Sequence, residues 1–103
     1  MISDYRENKL NVITQVVSEV TGIPVRKLMS DSREYPVQRA RQYAMYIMHD
    51  MEGFRHEEAA QHFNRTHPAS ITACRQVRAD ISLKVEKTAH DLEAIITKMK
   101  TCL

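Results

Sequence analysis

Two glycines and three prolines are the only strong breaks in this chain of 103 residues. Gly22, Pro24, Pro36, Gly53 and Pro68 cut it into stretches whose apolar residues recur every three or four positions, the period of a helix face. No stretch alternates apolar and polar as a half-buried strand does. A chain so poor in turn formers has little to spend on loops, and the expected fold is all-α: five or six helices in one domain spanning residues 1–103.

In order, a first helix is expected from about Ser3 or Tyr5 to Val20, capped by Ser3 or Asp4, with Leu10, Ile13, Val16, Val17 and Val20 on its apolar stripe. Gly22 ends it as a residue able to take positive φ. Pro24 opens a short second helix that turns Val25, Leu28 and Met29 to the core. A polar loop at residues 30–35 carries Arg33. Pro36 opens the third helix, which continues to about Glu52 with Val37, Ala40, Ala44, Ile47, Met48 and Met51 on its buried side, and Gly53 stops it. Arg55 is a poor cap for the fourth helix, because Ser, Thr or Asp would serve better. At the C-terminal end, Thr88 with Asp91 reads as a capping box. It implies a bend near residues 88–90 and a separate sixth helix of about residues 88–101, with Leu92, Ile95, Ile96 and Met99 packing back. One long helix from Pro68 to Lys100 is the competing reading.

Residues 55–82 carry the functional signal. Ala59, Ala60 and Phe63 suit one face of a short helix. Asn64, Arg65, Thr66 and His67 break it, Pro68 fits the first turn of the next, and Cys74, Val77 and Ile81 recur along that next helix. A helix, a four-residue turn and a second helix is what a helix-turn-helix reader of DNA requires. An ordinary helical hairpin satisfies the same pattern.

The formal net charge is +2, too small to argue for nucleic acid by itself. Its distribution says more: Arg26, Lys27, Arg33, Arg39 and Arg41 crowd one stretch, Asp50, Glu52, Glu57 and Glu58 another. The first is compatible with a surface that tracks phosphates, or with a solvated helix face. Cys74 and Cys102 form neither a close pair nor a zinc spacing, so Cys74 reads as a small core residue in a reducing cytosol. The opening residues do not read as a signal peptide, and no stretch is apolar for long enough to span a membrane. His56, Glu57, Glu58 and His62 do not have the His-Glu-x-x-His spacing and are read as surface residues, not metal ligands. No nucleophile with its base and no carboxylate pair suggests catalysis. The reading is not an enzyme, with no cofactor, metal or nucleotide.

Several stretches together resemble one family. Residues 16–25 (VVSEVTGIPV) and 28–30 (LMS), then residues 37–46 (VQRARQYAMY), then residues 63–67 (FNRTH) and 73–77 (ACRQV), follow in order the pattern of the C-terminal DNA-binding domain of the bacterial replication initiator DnaA, whose fold is Trp-repressor-like. The third stretch is similar to that family's VARPRQMAMY, the turn to its FGGRDH or FGNRDH, and the last to its HACRKI. The resemblance covers roughly residues 8–81. It implies double-stranded DNA as partner and a role in DNA replication or transcription, in the bacterial cytoplasm or nucleoid. The family's turn continues Arg-Asp-His-Thr-Thr, and there the Asp, His and Thr residues read bases. Here it runs Arg65-Thr66-His67-Pro68-Ala69, one residue shorter after Phe63. No Gly-x-x-x-x-Gly-Lys nucleotide loop is present. The expectation is a free-standing domain of phage, mobile-element or bacterial origin, with altered or weaker specificity.

The resemblance and the residue types together nominate the DNA-contacting set. Arg33 falls where the family inserts an arginine into a minor groove; a solvated loop charge is the alternative. Arg39, Arg41, Gln42 and Arg65 are expected to hold phosphates, Arg39 having a surface salt bridge as its other reading. His49 aligns with a phosphate-contacting lysine of the family but is neutral at pH 7. On the second helix, Thr66, His67, Pro68, Ala69, Thr72 and Gln76 are nominated, with His67 and Thr72 for base edges and Pro68 or Ala69 against a thymine methyl. His67 could instead serve as a cap. Ser70 is expected to point inward, and Arg75 to reach a phosphate or pair with an acid. The alternative function is a protein-interaction module built on the same fold. It would use an exposed apolar stripe along residues 92–99, which would equally serve a homodimer through the C-terminal helix.

Overall fold

A computed structural model describes residues 2–102, with side chains from 5 to 101. The proposed caps Ser3 and Asp4 and the side chain of Cys102 lie outside the described side chains. Six α-helices and no strand appear among the described residues: α1 (Ile2–Thr21), α2 (Val25–Leu28), α3 (Tyr35–Tyr46), α4 (His56–His62), α5 (His67–Ser82) and α6 (Glu86–Cys102). α3 runs without a break into a π-helical turn, Ile47–Met51. α3 packs along α5, α1 along α6, and α4 against the start of α5. The core lies between them. Ile13, Val17, Leu28, Ala44, Ile47, Met48, Phe63, Val77 and Ile95 have no exposed surface, and Tyr43 has 2%.

Local chemistry explains most of the boundaries. Gly22 and Gly53 both sit at φ +78°, the left-handed conformation that ends α1 and the π turn. The helix-turn-helix corner uses the same device with a different residue. Asn64 takes φ 57°, its N–H donates to Gln61 O at 2.9 Å, and Arg65 N–H donates to Ala60 O at 2.8 Å. These are the paired bonds of a Schellman cap, and Asn is one of the few non-glycine residues that enters this region at low cost. α4 makes up for its unsuitable cap from within, since Glu58 accepts the Arg55 N–H at 3.0 Å. That is the reciprocal half of a capping box, the other half needing an acceptor that arginine lacks.

Five expectations are corrected. Met51 is 43% exposed and Met29 41%, so neither is core. In the π turn each bond encloses one extra residue, which carries Met51 past the buried face that Ile47 and Met48 occupy. Ile81 is likewise 43% exposed, in the last turn of α5. The break before α6 falls at residues 83–85, earlier than the expected bend, and Thr88 is no cap. It is a buried residue within α6 whose hydroxyl accepts from Arg39 at 2.6 Å and donates to Asp80 at 2.9 Å. The apolar stripe of α6 is spent internally. Leu92, Ile95 and Met99 are 6%, 0% and 5% exposed, in a helix packed along α1. The stripe is not the exposed surface that a partner protein or a homodimer was expected to use.

Candidate nucleic-acid interface

The second helix of the corner is anchored by its inner face. Ser70, Ala73, Cys74 and Val77 are buried, while Pro68, Thr72, Arg75 and Gln76 are exposed and Ala69 is half-buried. At helical spacing this second set shares one face, directed away from the core. His67 is exposed at the N-terminal end. Ser70 points inward as expected, its hydroxyl 2.9 Å from His56 Nδ1.

Beside that face lies an open groove of about 430 Å³ between the start of α5 and α3, with Arg33 from the loop before α3 at its edge. Arg33, Gln38, Arg41, Gln42 and Arg65 line one part of it. Thr66, Pro68, Ala69 and Thr72 line the other. Its lining has three arginines and no carboxylate, in a molecule with a net charge of only +2. Arg65, half-buried in the corner, reaches Phe63 O and Ser30 O at 3.4 Å each, so it links the corner to the loop that follows α2. Gln38, not singled out in the sequence, lies one turn before Gln42 and donates to Arg33 O at 2.7 Å. Its position one helical turn from Gln42 was the available signal.

Eight of the nominated residues thus meet around one groove: Arg33, Arg41, Gln42, Arg65, Thr66, Pro68, Ala69 and Thr72. Arg39 does not join them. Its guanidinium pairs with Asp80, donates to Thr88, and lies over the Tyr43 ring at 4.9 Å. It is the salt-bridge reading that holds, though inside the α3–α5–α6 junction and not on the surface. Arg39 Nη1 also donates to Gln42 Oε1 at 2.9 Å, which leaves the Gln42 NH₂ as a donor. Arg41 lines the groove but is only 2% exposed. Four of its five N–H donors are occupied by backbone carbonyls, so direct phosphate contact is not the role its geometry fits best. Arg75 and Gln76 lie outside the groove lining, further along the exposed face of α5.

His56 and His62, expected at the surface, are half-buried, and His49, aligned with a phosphate-contacting lysine, is not in the groove lining. His49 Nδ1 donates to Phe54 O at 2.7 Å and its ring stacks on His56 at 3.6 Å, so it is turned into the α4 contact. The Thr14 hydroxyl is spent on Leu10 O, so His62 Nε2 must donate to it, at 2.9 Å. Burial lowers the pKa of His62, with Glu7 opposing. For His56 burial again leads, followed by the charges of His49, His67 and Arg78, and Asp50 opposes. Both rings therefore take up a proton less readily in the fold than in the unfolded chain, whose histidines titrate around the ordinary value of 6.5. Below that pH the unfolded state binds more protons, so stability is full above it and falls as the pH drops. The melting temperature is expected to decline between about pH 6.5 and 5, before the carboxylates begin to titrate. His62→Gln, which keeps a donor for Thr14, should flatten that decline. A wild-type melting temperature constant over this interval would contradict the assignment.

Residues 10–77 match the family model described as the bacterial dnaA protein helix-turn-helix. The chain belongs to this family. The matched span contains all twelve nominated residues and ends within α5, leaving α6 outside it. The chromosomal replication initiator protein DnaA of Thermotoga maritima is 29% identical over 90 residues, 87% of this chain and 20% of that protein. The protein of the same name from Onion yellows phytoplasma is 29% identical over 97 residues, 94% of this chain and 19% of that protein. The chain spans about a fifth of the length of these relatives.

Proposed function

We propose that this domain binds double-stranded DNA by placing the exposed face of α5 in a major groove, and that it acts in the control of DNA replication or transcription. The observation that carries the reading is the carboxylate-free, three-arginine groove lying directly beside that face. An α-helix fits the major groove, and a duplex seated there presents its backbone to the residues flanking the helix. Arg65 and the Gln42 amide hold phosphates at the corner. Arg33, on the exposed loop across the groove, reaches the neighbouring minor groove. His67, Thr72 and Gln76 face base edges, Pro68 and Ala69 offer apolar contact to a thymine methyl, and Arg75 reaches a phosphate further along. Thr66 stands at the N-terminal end of α5, where backbone N–H groups favour an anion.

Two relatives are named as replication initiators, which supports replication control as the first process to examine. Selection of bound sequences from a random duplex pool tests the proposal. A defined motif is expected, with affinity falling steeply as salt is raised, because phosphate contacts release counterions. Absence of both an enriched sequence and a shift with random duplex at low salt would overturn it.

A further inference from the structure

The side chain that most needs explaining is Arg41. It is buried to 2% exposure and has no described carboxylate within ion-pair distance. Its guanidinium instead donates to four backbone carbonyls that follow one another along the chain. Nε reaches Leu28 O at 2.7 Å, Nη1 reaches Ser32 O at 2.7 Å, and Nη2 reaches Ser30 O at 2.7 Å and Lys27 O at 3.2 Å. These carbonyls belong to the end of α2 and the loop that leads to Arg33. Apart from Arg41, the loop is tied by short-range contacts within itself and to Lys27 and Glu34, and at its far end by Gln38, which donates to Arg33 O at 2.7 Å. Arg65 adds a long bond to the same Ser30 carbonyl.

Resting on the DNA-binding reading above, we infer that Arg41 is a positioning residue: it shapes the loop so that Arg33 stands across the groove from α5, and it does not itself contact a phosphate. A guanidinium is planar and sends donors in several fixed directions, so it can gather carbonyls lying around it. A lysine ammonium carries the same charge on one tetrahedral atom and cannot reach all four. Fixing the loop in the free protein removes the cost of ordering it when the duplex arrives.

The distinction can be tested by Arg41→Lys in the full chain. A phosphate ligand tolerates lysine, because phosphate binding needs mainly the point charge. A carbonyl-gathering fork does not. Arg41→Lys is therefore expected to weaken binding to the selected duplex by about tenfold or more. In an Arg33→Ala background the same change should cost less than about twofold, because its effect passes through Arg33. Melting curves of every variant identify loss of fold. Should Arg41→Lys not fold, the wild-type chain still decides the matter by NMR. The Arg41 Nε–H signal should be protected from exchange in the free protein and keep its shift when duplex is added, while that of Arg33 moves. Binding by Arg41→Lys within twofold of wild type, full additivity with Arg33→Ala, or a large shift of the Arg41 signal on DNA addition would each overturn the inference. Failure of the wild-type chain to bind any duplex would instead sink the DNA-binding reading first, and this one with it.

Discussion

Arg65→Ala is expected to weaken duplex binding by roughly 1–3 kcal/mol, about 5- to 150-fold, and to lower the slope of log affinity against log salt by about 1. Arg65 occupies the middle of the cationic groove. It lies in the corner after α4, touches the loop through Ser30 O and stands at the entrance to α5. Its bonds to protein are long, at 3.4 Å, so the guanidinium has donors left for an incoming oxygen. Little stability should be lost with it, because half-exposed hydrogen bonds of that length contribute little. Affinity and stability therefore separate. Competition binding over a salt series, run beside thermal melts, reads both. An Arg65→Ala protein that binds within twofold of wild type with an unchanged salt slope would remove Arg65 from the interface.

Phe63→Ala carries the largest expected cost to the fold, about 3–5 kcal/mol. The ring is wholly buried, meets His62 edge-on at 5.0 Å, and fills the core directly under the corner. Small domains have about 5–15 kcal/mol of stability in total, so this change takes a large share of it. It should also disturb the interface without touching it. Phe63 is the residue from which the chain turns through Asn64 into Arg65 and α5, and a collapsing cavity there would tilt both. Urea unfolding measures the first effect, and Phe63→Leu should recover much of the loss because it refills most of the volume. A cost below about 1 kcal/mol for Phe63→Ala would mean the core under the corner is looser than its complete burial implies.

The helices were legible because their signals are local. Apolar spacing, two glycines able to take positive φ and three prolines opening helices act over one or two turns. They placed α1 and α2, and the starts of α3 and α5, to within a residue or two, including the four-residue corner that defines the motif. The order of short stretches along residues 16–77 was enough to identify the family. The break between α5 and α6 was not legible. Its left-handed residue is Lys84, at φ 57°, which has none of the preference of glycine or asparagine for that conformation. Tertiary contacts select it: α6 folds back on α1, and Thr88 comes to rest between Arg39 and Asp80.

The candidate site divides in the same way. Residue type and helical spacing decided which side chains face out of α5 and which residues carry charge around the corner. Which charges are available to a duplex was decided only by the fold. Arg39 and Arg41 are two positions apart on α3 and look equivalent in the sequence, yet a separation of two turns them to different sides of the helix. One meets Asp80 from α5 and is neutralised there. The other meets the carbonyls of the loop and is buried among them. Helical periodicity says that two side chains point in different directions; only the packed neighbours say what waits in each direction, and that is what separates a charge consumed inside the protein from one offered to a phosphate.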